Sequence, residues 1–237
     1  MRAVILAGGR GTRLKPYTVT LPKPLMPVGD EMPILEIIIR QLSKVGFNHI
    51  TLAVNHMANL IQAFFGDGSR WGLKIDYSLE DTPLSTIGPL TLIPDLPENF
   101  LVMNGDILCD LNYAEFYQYH LRQKNEVTVA VYKRNSKVDF GVLNFDESNR
   151  ITNFIEKPVY HFDVSMGVYC LNRAVVTELN AGEPYGFDNL MLDGIANKRS
   201  FGVMPYAGFW LDIGRPDDFA QANENYETLK SKLGLAE

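Results

Sequence analysis

Residues 1–13 read MRAVILAGGRGTR. Ala3–Ala7 is an unbroken apolar run of β-favouring side chains, the pattern of a strand covered on both faces in a parallel sheet. Gly8, Gly9 and Gly11 break that run at once. Glycine lets the backbone come close to a ligand and take positive φ, leaving N–H groups free to hold phosphate oxygens. A plain tight turn would account for the glycines alone. It would not account for Arg10, Arg13 and Lys15 standing among them, so a buried strand that runs into a cationic, glycine-lined cradle is the better reading.

The charge distribution supports an anion site. The 237 residues carry 22 Lys and Arg against 28 Asp and Glu, a formal net charge of −6. Yet residues 1–29 hold five bases (Arg2, Arg10, Arg13, Lys15, Lys23) and no acid. An acidic chain with a basic leader reserves that charge for a small anion rather than a nucleic-acid backbone, which needs basic residues clustered across a surface. With 46% apolar and 21% charged residues, the composition is that of a globular protein with a large core. The first apolar run is too short for a secretory leader, and no stretch approaches the roughly 18 apolar residues of a membrane span. Cys109 and Cys170 sit in apolar runs with no metal-ligand spacing, so they are expected to be buried thiols in a reducing, cytoplasmic setting. The four histidines are scattered and carry no metal or catalytic pattern.

Two familiar phosphate loops are set aside. A Walker A loop, GxxxxGK[ST], is absent, and a dinucleotide fingerprint needs a small residue where Leu14 stands and an acid where the second strand ends in Asn55. A nicotinamide-dependent oxidoreductase is therefore disfavoured.

Outward from the cradle, helix and strand patterns alternate. Pro33 stands at a first helical position, with Ile34, Leu35, Ile38, Leu42 and Val45 at helical spacing and Gly46 as the stop. Strands are expected at His49–Asn55, Leu73–Tyr77 and Phe100–Asn104, and a helix over Asn59–Phe65. Strands separated by helices imply βαβ units and a doubly wound, mainly parallel sheet. In the second half Glu126–Lys133 alternates as a half-exposed strand does. Phe140–Phe145, Ile151–Glu156 and Val164–Leu171 are short strands with few helices between them, a mixed or antiparallel extension. Helices return at Arg173–Leu179 and Pro216–Leu229. The expectation is one domain over residues 1–237, with a nucleotide-binding half to about residue 125 and a second half for the other substrate.

Four further segments carry chemistry. Pro22 and Pro24 flank Lys23 and fix φ on either side, giving a stiff, extended loop that holds one cation in place. Asn104-Gly105-Asp106 ends a buried strand, where α/β sheets put their ligands, and beside phosphates Asp106 suits a magnesium ion. Asp212 lies in the apolar stretch Phe209–Ile213 and needs a charged partner. Glu156-Lys157-Pro158 again holds a lysine against a proline.

Together LAGGRGTRL (6–14), PKPL (22–25), NGD (104–106), FGVLNFD (140–146), IEKP (155–158), SMGVY (165–169) and FWLDIGRPDDF (209–219) resemble the sugar-1-phosphate nucleotidyltransferase family. The motifs occur in family order from Met1 to about Asn223. Within that family the chain looks like the short, mannose-1-phosphate guanylyltransferase-like and N-acetylmuramate-1-phosphate uridylyltransferase-like branches. The resemblance implies a Rossmann-like sheet with a sugar-binding extension, and attack of a sugar 1-phosphate on the α-phosphorus of an NTP with release of pyrophosphate. It implies Leu6, Ala7, Gly8 and Gly9 around the nucleotide, with Gly11, Thr12 and Arg13 on its phosphates. Arg13 and Lys23 would be catalytic, Asp106 and Asp212 would hold Mg²⁺, and Asn104, Gly141, Glu156, Lys157 and Ser165 would bind the sugar phosphate. Glu80 and Gly88 would face the base. The expected substrates are GTP and a manno-configured hexose or heptose 1-phosphate, with UTP and an amino-sugar 1-phosphate as the alternative. A catalytically silent NDP-sugar-binding relative is disfavoured because Arg13, Lys23, Asp106, Lys157 and Asp212 are all present. The family often forms homodimers, and that is carried as an expectation.

Two positions depart from the family pattern. Ser85-Thr86-Ile87-Gly88 has serine where a glycine usually stands, and Ser165 replaces a more usual asparagine.

Overall fold

A computed structural model describes residues 1–29 and 31–235. The first strand, β1 (Arg2–Leu6), lies in the middle of a seven-stranded sheet. Three single 3₁₀ turns follow it, at Thr12–Leu14, Tyr17–Val19 and Lys23–Leu25. A small β2 (Pro27–Val28) and β3 (Met32–Pro33) pair leads into α1 (Ile34–Lys44), then β4 (His49–Val54), α2 (Ala58–Phe65) and β5 (Lys74–Leu79). Next come β6 (Asn99–Asn104), β7 (Ile107–Cys109), α3 (Tyr113–Gln123) and β8 (Val127–Lys137). The remainder is β9 (Val142–Phe145), β10 (Ile151–Ile155), β11 (Val159–Asn172), α4 (Arg173–Thr177), α5 (Phe187–Ala196), β12 (Phe201–Tyr206), β13 (Trp210–Asp212), α6 (Pro216–Glu224) and α7 (Tyr226–Lys232).

The sheet order is β12-β8-β11-β6-β1-β4-β5. Only β11 runs against the rest, pairing antiparallel with both β6 and β8. The doubly wound, mainly parallel sheet is as the alternation of strand and helix patterns implies. Strands from before and after residue 125 share it. Side chains along β1 and β6 alternate between two cores: Ala3, Ile5, Leu101 and Met103 meet α1, α2 and α3, while Val4, Phe100 and Val102 meet α4, α5 and the 3₁₀ segment Gly88–Leu92. A strand covered on both faces has no polar positions to show, which is why β1 reads as one apolar run.

Several elements differ from the sequence expectation. Strand β8 is not half-exposed where it crosses the sheet, because Val127, Thr128, Val129 and Ala130 are all buried. Its one polar member is satisfied inside, Thr128 Oγ1 lying 2.8 Å from His120 Nδ1. Beyond residue 132 the strand leaves the sheet as an exposed ribbon with the first half of β11. Pro33 stands at the N-cap rather than inside α1. The C-terminal helix is two helices meeting at Asn225, whose side-chain amide donates to the Gln221 carbonyl. Helices α3 and α5 go beyond the periodicity analysis. In α3 the buried face is built from Tyr113, Phe116 and His120 rather than aliphatic residues.

His120 makes a prediction about pH. It is 1% exposed, its Nε2 lies 3.1 Å from Asn99 Oδ1, and burial pushes its pKa down to about 4. A depressed histidine pKa means the folded state holds the ring neutral. Its contribution is therefore intact above the ordinary value near 6.5 and lost as pH falls from there toward 4. Between pH 6.5 and 5 the loss should be roughly 2 kcal/mol. Urea unfolding of the wild type and of His120→Gln across that interval checks this, and parallel profiles would refute it. Cys109 and Cys170 are both free and buried, as expected.

Candidate active site

The parallel register aligns the carboxyl ends of β1, β4, β5 and β6 on one rim, with Leu6 opposite both Ala53 and Asn104. The residues that leave those strands are Ala7-Gly8, Asn55, Glu80 and Gly105-Asp106. They line one cavity of about 400 Å³, together with Leu6, Gly9, Arg10, Lys23 and Asn104. Ligands of open α/β sheets sit at this edge.

The glycine cradle is shaped by what surrounds it. Gly11 has φ +60, and a Cβ there would meet the Thr18 methyl at 2.8 Å, while Thr18 Oγ1 donates to the Gly11 carbonyl at 2.7 Å. A Cβ on Gly9 would meet nothing within 4 Å, so that face opens to the cavity. Leu14, 1% exposed, anchors the following turn in the core. Thr12 and Arg13 are exposed on that turn, and Arg13 turns toward Gly214.

Lys23 is buried, and its bracing differs in form from the extended loop expected. Pro22 is extended, but Lys23–Leu25 is one 3₁₀ turn closed by Leu25 N–H to the Pro22 carbonyl at 2.8 Å. The ammonium group is held all the same, in a close ion pair with Asp106 Oδ2.

Asp106 and Asp212 come together through a pairing of β7 with β13. Asp212 lies opposite Ile107, and Ile213 N–H donates to the Asp106 carbonyl at 3.0 Å. Desolvation first, and then the Asp106 charge, raise the Asp212 pKa above the ordinary aspartate value, with Lys23 and Arg13 opposing. Asp212 keeps contact with solvent in the cleft, so the shift reflects partial rather than complete loss of water. Asp106 Oδ1 is buried with no hydrogen-bond partner. An orphaned carboxylate oxygen beside a second, partly desolvated carboxylate is a donor set suited to a hard divalent cation. Among the described residues no third acidic, histidine or cysteine ligand joins them. Water and phosphate oxygens would complete such a shell, as magnesium prefers.

Glu80 closes β5 and is buried. Its Oε2 accepts from Leu84 N–H at 3.1 Å, its backbone carbonyl accepts from Asn55 Nδ2 at 2.7 Å, and desolvation raises its pKa. Ser85 lines the same cavity with φ +67, a conformation that costs a residue with a Cβ about 1–2 kcal/mol. A glycine at this position would avoid that cost.

Other expected residues are placed differently. Gly88 packs on the other side of its loop: its N–H donates to the Tyr185 carbonyl at 2.9 Å, and a Cβ would strike the Glu183 carbonyl at 2.6 Å. Asn104 faces Gly167, where a Cβ would approach its Nδ2 to 2.7 Å, and Ser165 Oγ accepts from Gly167 N–H at 3.2 Å. Gly141, Glu156 and Lys157 meet one another at the open end of the β9–β10 hairpin. A Cβ at 141 would lie 3.3 Å from Glu156 Oε2, and Lys157 Nζ is 4.0 Å from Glu156 Oε1. None of these three lines the cavity described above. Lys157 has φ +44 before a proline, a strained backbone of the kind that clusters at functional sites. Pro83 and Pro89 line the same cavity with no motif to mark them, and Arg10, one of the bases of the cradle, lines it without an assigned role. Arg10 alone carried a signal, as a base among the glycines.

The nucleotidyl transferase family model matches residues 2–229. The chain belongs to that family. It is 35% identical to the mannose-1-phosphate guanylyltransferase catalytic subunit beta of Dictyostelium discoideum over 240 residues, covering 98% of this chain and 66% of that protein. It is likewise 35% identical to the subunit of the same name from Xenopus tropicalis, over 92% of this chain and 62% of the other. The nucleotidyl transferase chain thus spans a little under two thirds of the length of these curated relatives. Among solved structures it resembles HddC from Yersinia pseudotuberculosis, at 26% identity and a TM-score of 0.74 over 95% of this chain and 99% of that one. Among the described residues no helix is long and apolar enough to cross a membrane.

Proposed function

We propose that this nucleotidyl transferase joins a sugar 1-phosphate to a nucleoside monophosphate drawn from an NTP, releasing pyrophosphate. The observation that carries the reading is the convergence at one strand edge of the glycine cradle, Lys23 and the Asp106–Asp212 pair. A sugar-phosphate oxygen attacks the α-phosphorus, and the bond to the bridging oxygen of the pyrophosphate breaks. The attacking oxygen is already an anion, so no general base is required. The obstacle is repulsion between anions, and Arg13 and Lys23 oppose it with fixed positive charge. Mg²⁺ held by Asp106 and Asp212 supplies, when bound, charge neutralisation across the reacting phosphates. Gly141, Glu156, Lys157, Asn104 and Ser165 take the sugar phosphate, which requires the hairpin end to close over the cleft.

GTP and a manno-configured sugar 1-phosphate are the proposed substrates, supported by the names of the relatives and by Glu80. A buried carboxylate can accept from guanine N1–H and N2–H₂ together, whereas uracil offers one N–H. The setting proposed is cytoplasmic, where free thiols such as Cys109 and Cys170 stay reduced, and a homodimer is carried from the family resemblance alone. Pyrophosphate release is to be measured with each of the four NTPs, mannose 1-phosphate and Mg²⁺. Release with GTP is the expected result. Release only with UTP and an amino-sugar 1-phosphate would overturn the base and sugar assignment, and silence with every pair would overturn the reaction. Glu80→Gln should raise the KM for GTP by about tenfold to a hundredfold while leaving kcat within a few-fold, since one charged hydrogen bond is lost. An unchanged GTP KM would remove Glu80 from base recognition.

A further inference from the structure

A second cavity of about 390 Å³ lies on the Asp212 side of the site. Lys23 and Asp106 line the first, and Arg13 and Asp212, whose carboxylate feels the charges of both, line the second. Its walls add Tyr132 and Arg134 from the ribbon end of β8, Trp210 beside Asp212, and Arg215 at the N-cap of α6. Three guanidinium groups from three separate elements therefore share one hollow. Among the described residues, none of the three has a hydrogen bond or an ion pair. Two acids share the hollow: Asp218, which accepts from Gly214 N–H at 3.2 Å, and Asp212, whose carboxylate feels Asp106 and Lys23 as well as Arg13.

Three guanidinium groups against two carboxylates leave the hollow with net positive charge, which an anion neutralises. The first cavity holds Glu80, the glycine cradle, Lys23 and Asp106, and the second holds Arg13, Asp212, Arg134 and Arg215. A nucleoside triphosphate laid with its base at Glu80 and its α-phosphate at the Asp106–Asp212 pair would send its terminal phosphates toward the second. We infer that Arg134 and Arg215 form, with Arg13, the seat of the departing pyrophosphate. This rests on the proposed nucleotidyl transfer. Arginine suits the task, because its fork of donors matches phosphate oxygens in pairs and keeps its charge at any working pH. Arg134 and Arg215 are positioning residues for the terminal phosphates, and neither lines the cavity that holds Lys23 and Asp106.

The test is product inhibition by added pyrophosphate, followed by chromatographic measurement of the NDP-sugar, for wild type, Arg134→Gln, Arg215→Gln and the double variant. Each single change should raise the pyrophosphate inhibition constant about five- to tenfold, and the double change more, with the KM for the sugar 1-phosphate within twofold of wild type. Normal turnover with an unchanged inhibition constant would overturn the inference, as would a rise in the sugar 1-phosphate KM alone. Calorimetric titration with magnesium pyrophosphate separates this from failure of the functional reading, because it needs no turnover. Binding weakened in the variants supports the seat even in a silent protein, and equal binding by all four proteins refutes it. Thermal melting of each variant establishes that the fold is retained.

Discussion

Lys23→Ala is expected to cut turnover by about 10²–10³-fold, the loss that follows removal of one preorganised charge aimed at a developing anion. Two prolines and a 3₁₀ turn fix the ammonium group before substrate arrives, so little reorganisation is left for the moment of reaction. Lys23→Arg should not rescue it, since the larger planar group has no room in a position that is 8% exposed. The same change has an opposite effect on cations. Lys23 neutralises Asp106 in the free protein, so its removal leaves two carboxylates facing each other with less compensation. Mn²⁺ binding to the nucleotide-free protein should therefore tighten in Lys23→Ala as its turnover collapses. Turnover within threefold of wild type would refute the catalytic role, and unchanged cation affinity would refute the electrostatic account.

Asp212→Asn should lower turnover by about 10³-fold or more, since one of the two carboxylates proposed for the cation is lost. It should also make the protein more stable at neutral pH. The Asp212 pKa is raised by desolvation and by Asp106, so the folded state prefers the proton. A group raised in this way gives its full support below the ordinary aspartate value near 4 and loses it as pH rises through the folded value. The asparagine variant has no partly desolvated charge facing Asp106 and should melt above wild type at pH 7, with the difference shrinking toward pH 4. Site residues held against their own stability are a familiar cost of function. Thermal melts at the two pH values decide it, and a variant that melts below wild type at pH 7 would refute the strained-pair account.

Much of this fold is legible locally. Residues 3–7 give their strand away because both faces of β1 are covered, and α1 because Ile34, Leu35, Ile38 and Leu42 recur at the helical period. The extension was harder to read. The inner half of β8 alternates as a half-exposed strand would, with Val127, Val129 and Val131 at every second position, yet both its faces are buried, since Thr128 finds its partner in His120 on a helix. Helix α3 hides its buried face behind tyrosines, which satisfy a core and a surface equally well. Asp106 and Asp212 could each be picked out, the one at a strand end and the other in an apolar stretch, but nothing in either neighbourhood says that they meet.

The sequence by itself determined the parallel sheet, the glycine cradle and the identity of its cations, because backbone freedom, side-chain period and proline constraints act within a few residues. Only the tertiary structure decided which of those groups face one another. The pairing of β7 with β13 seats Asp212 beside Asp106, an ion pair across 83 positions ties Lys23 to Asp106, and three arginines from a turn, a ribbon and a helix start meet in one hollow. Those meetings are fixed by strand register and by the packing of helices on two faces of one sheet, and both depend on surfaces that exist only once distant parts of the chain have come together.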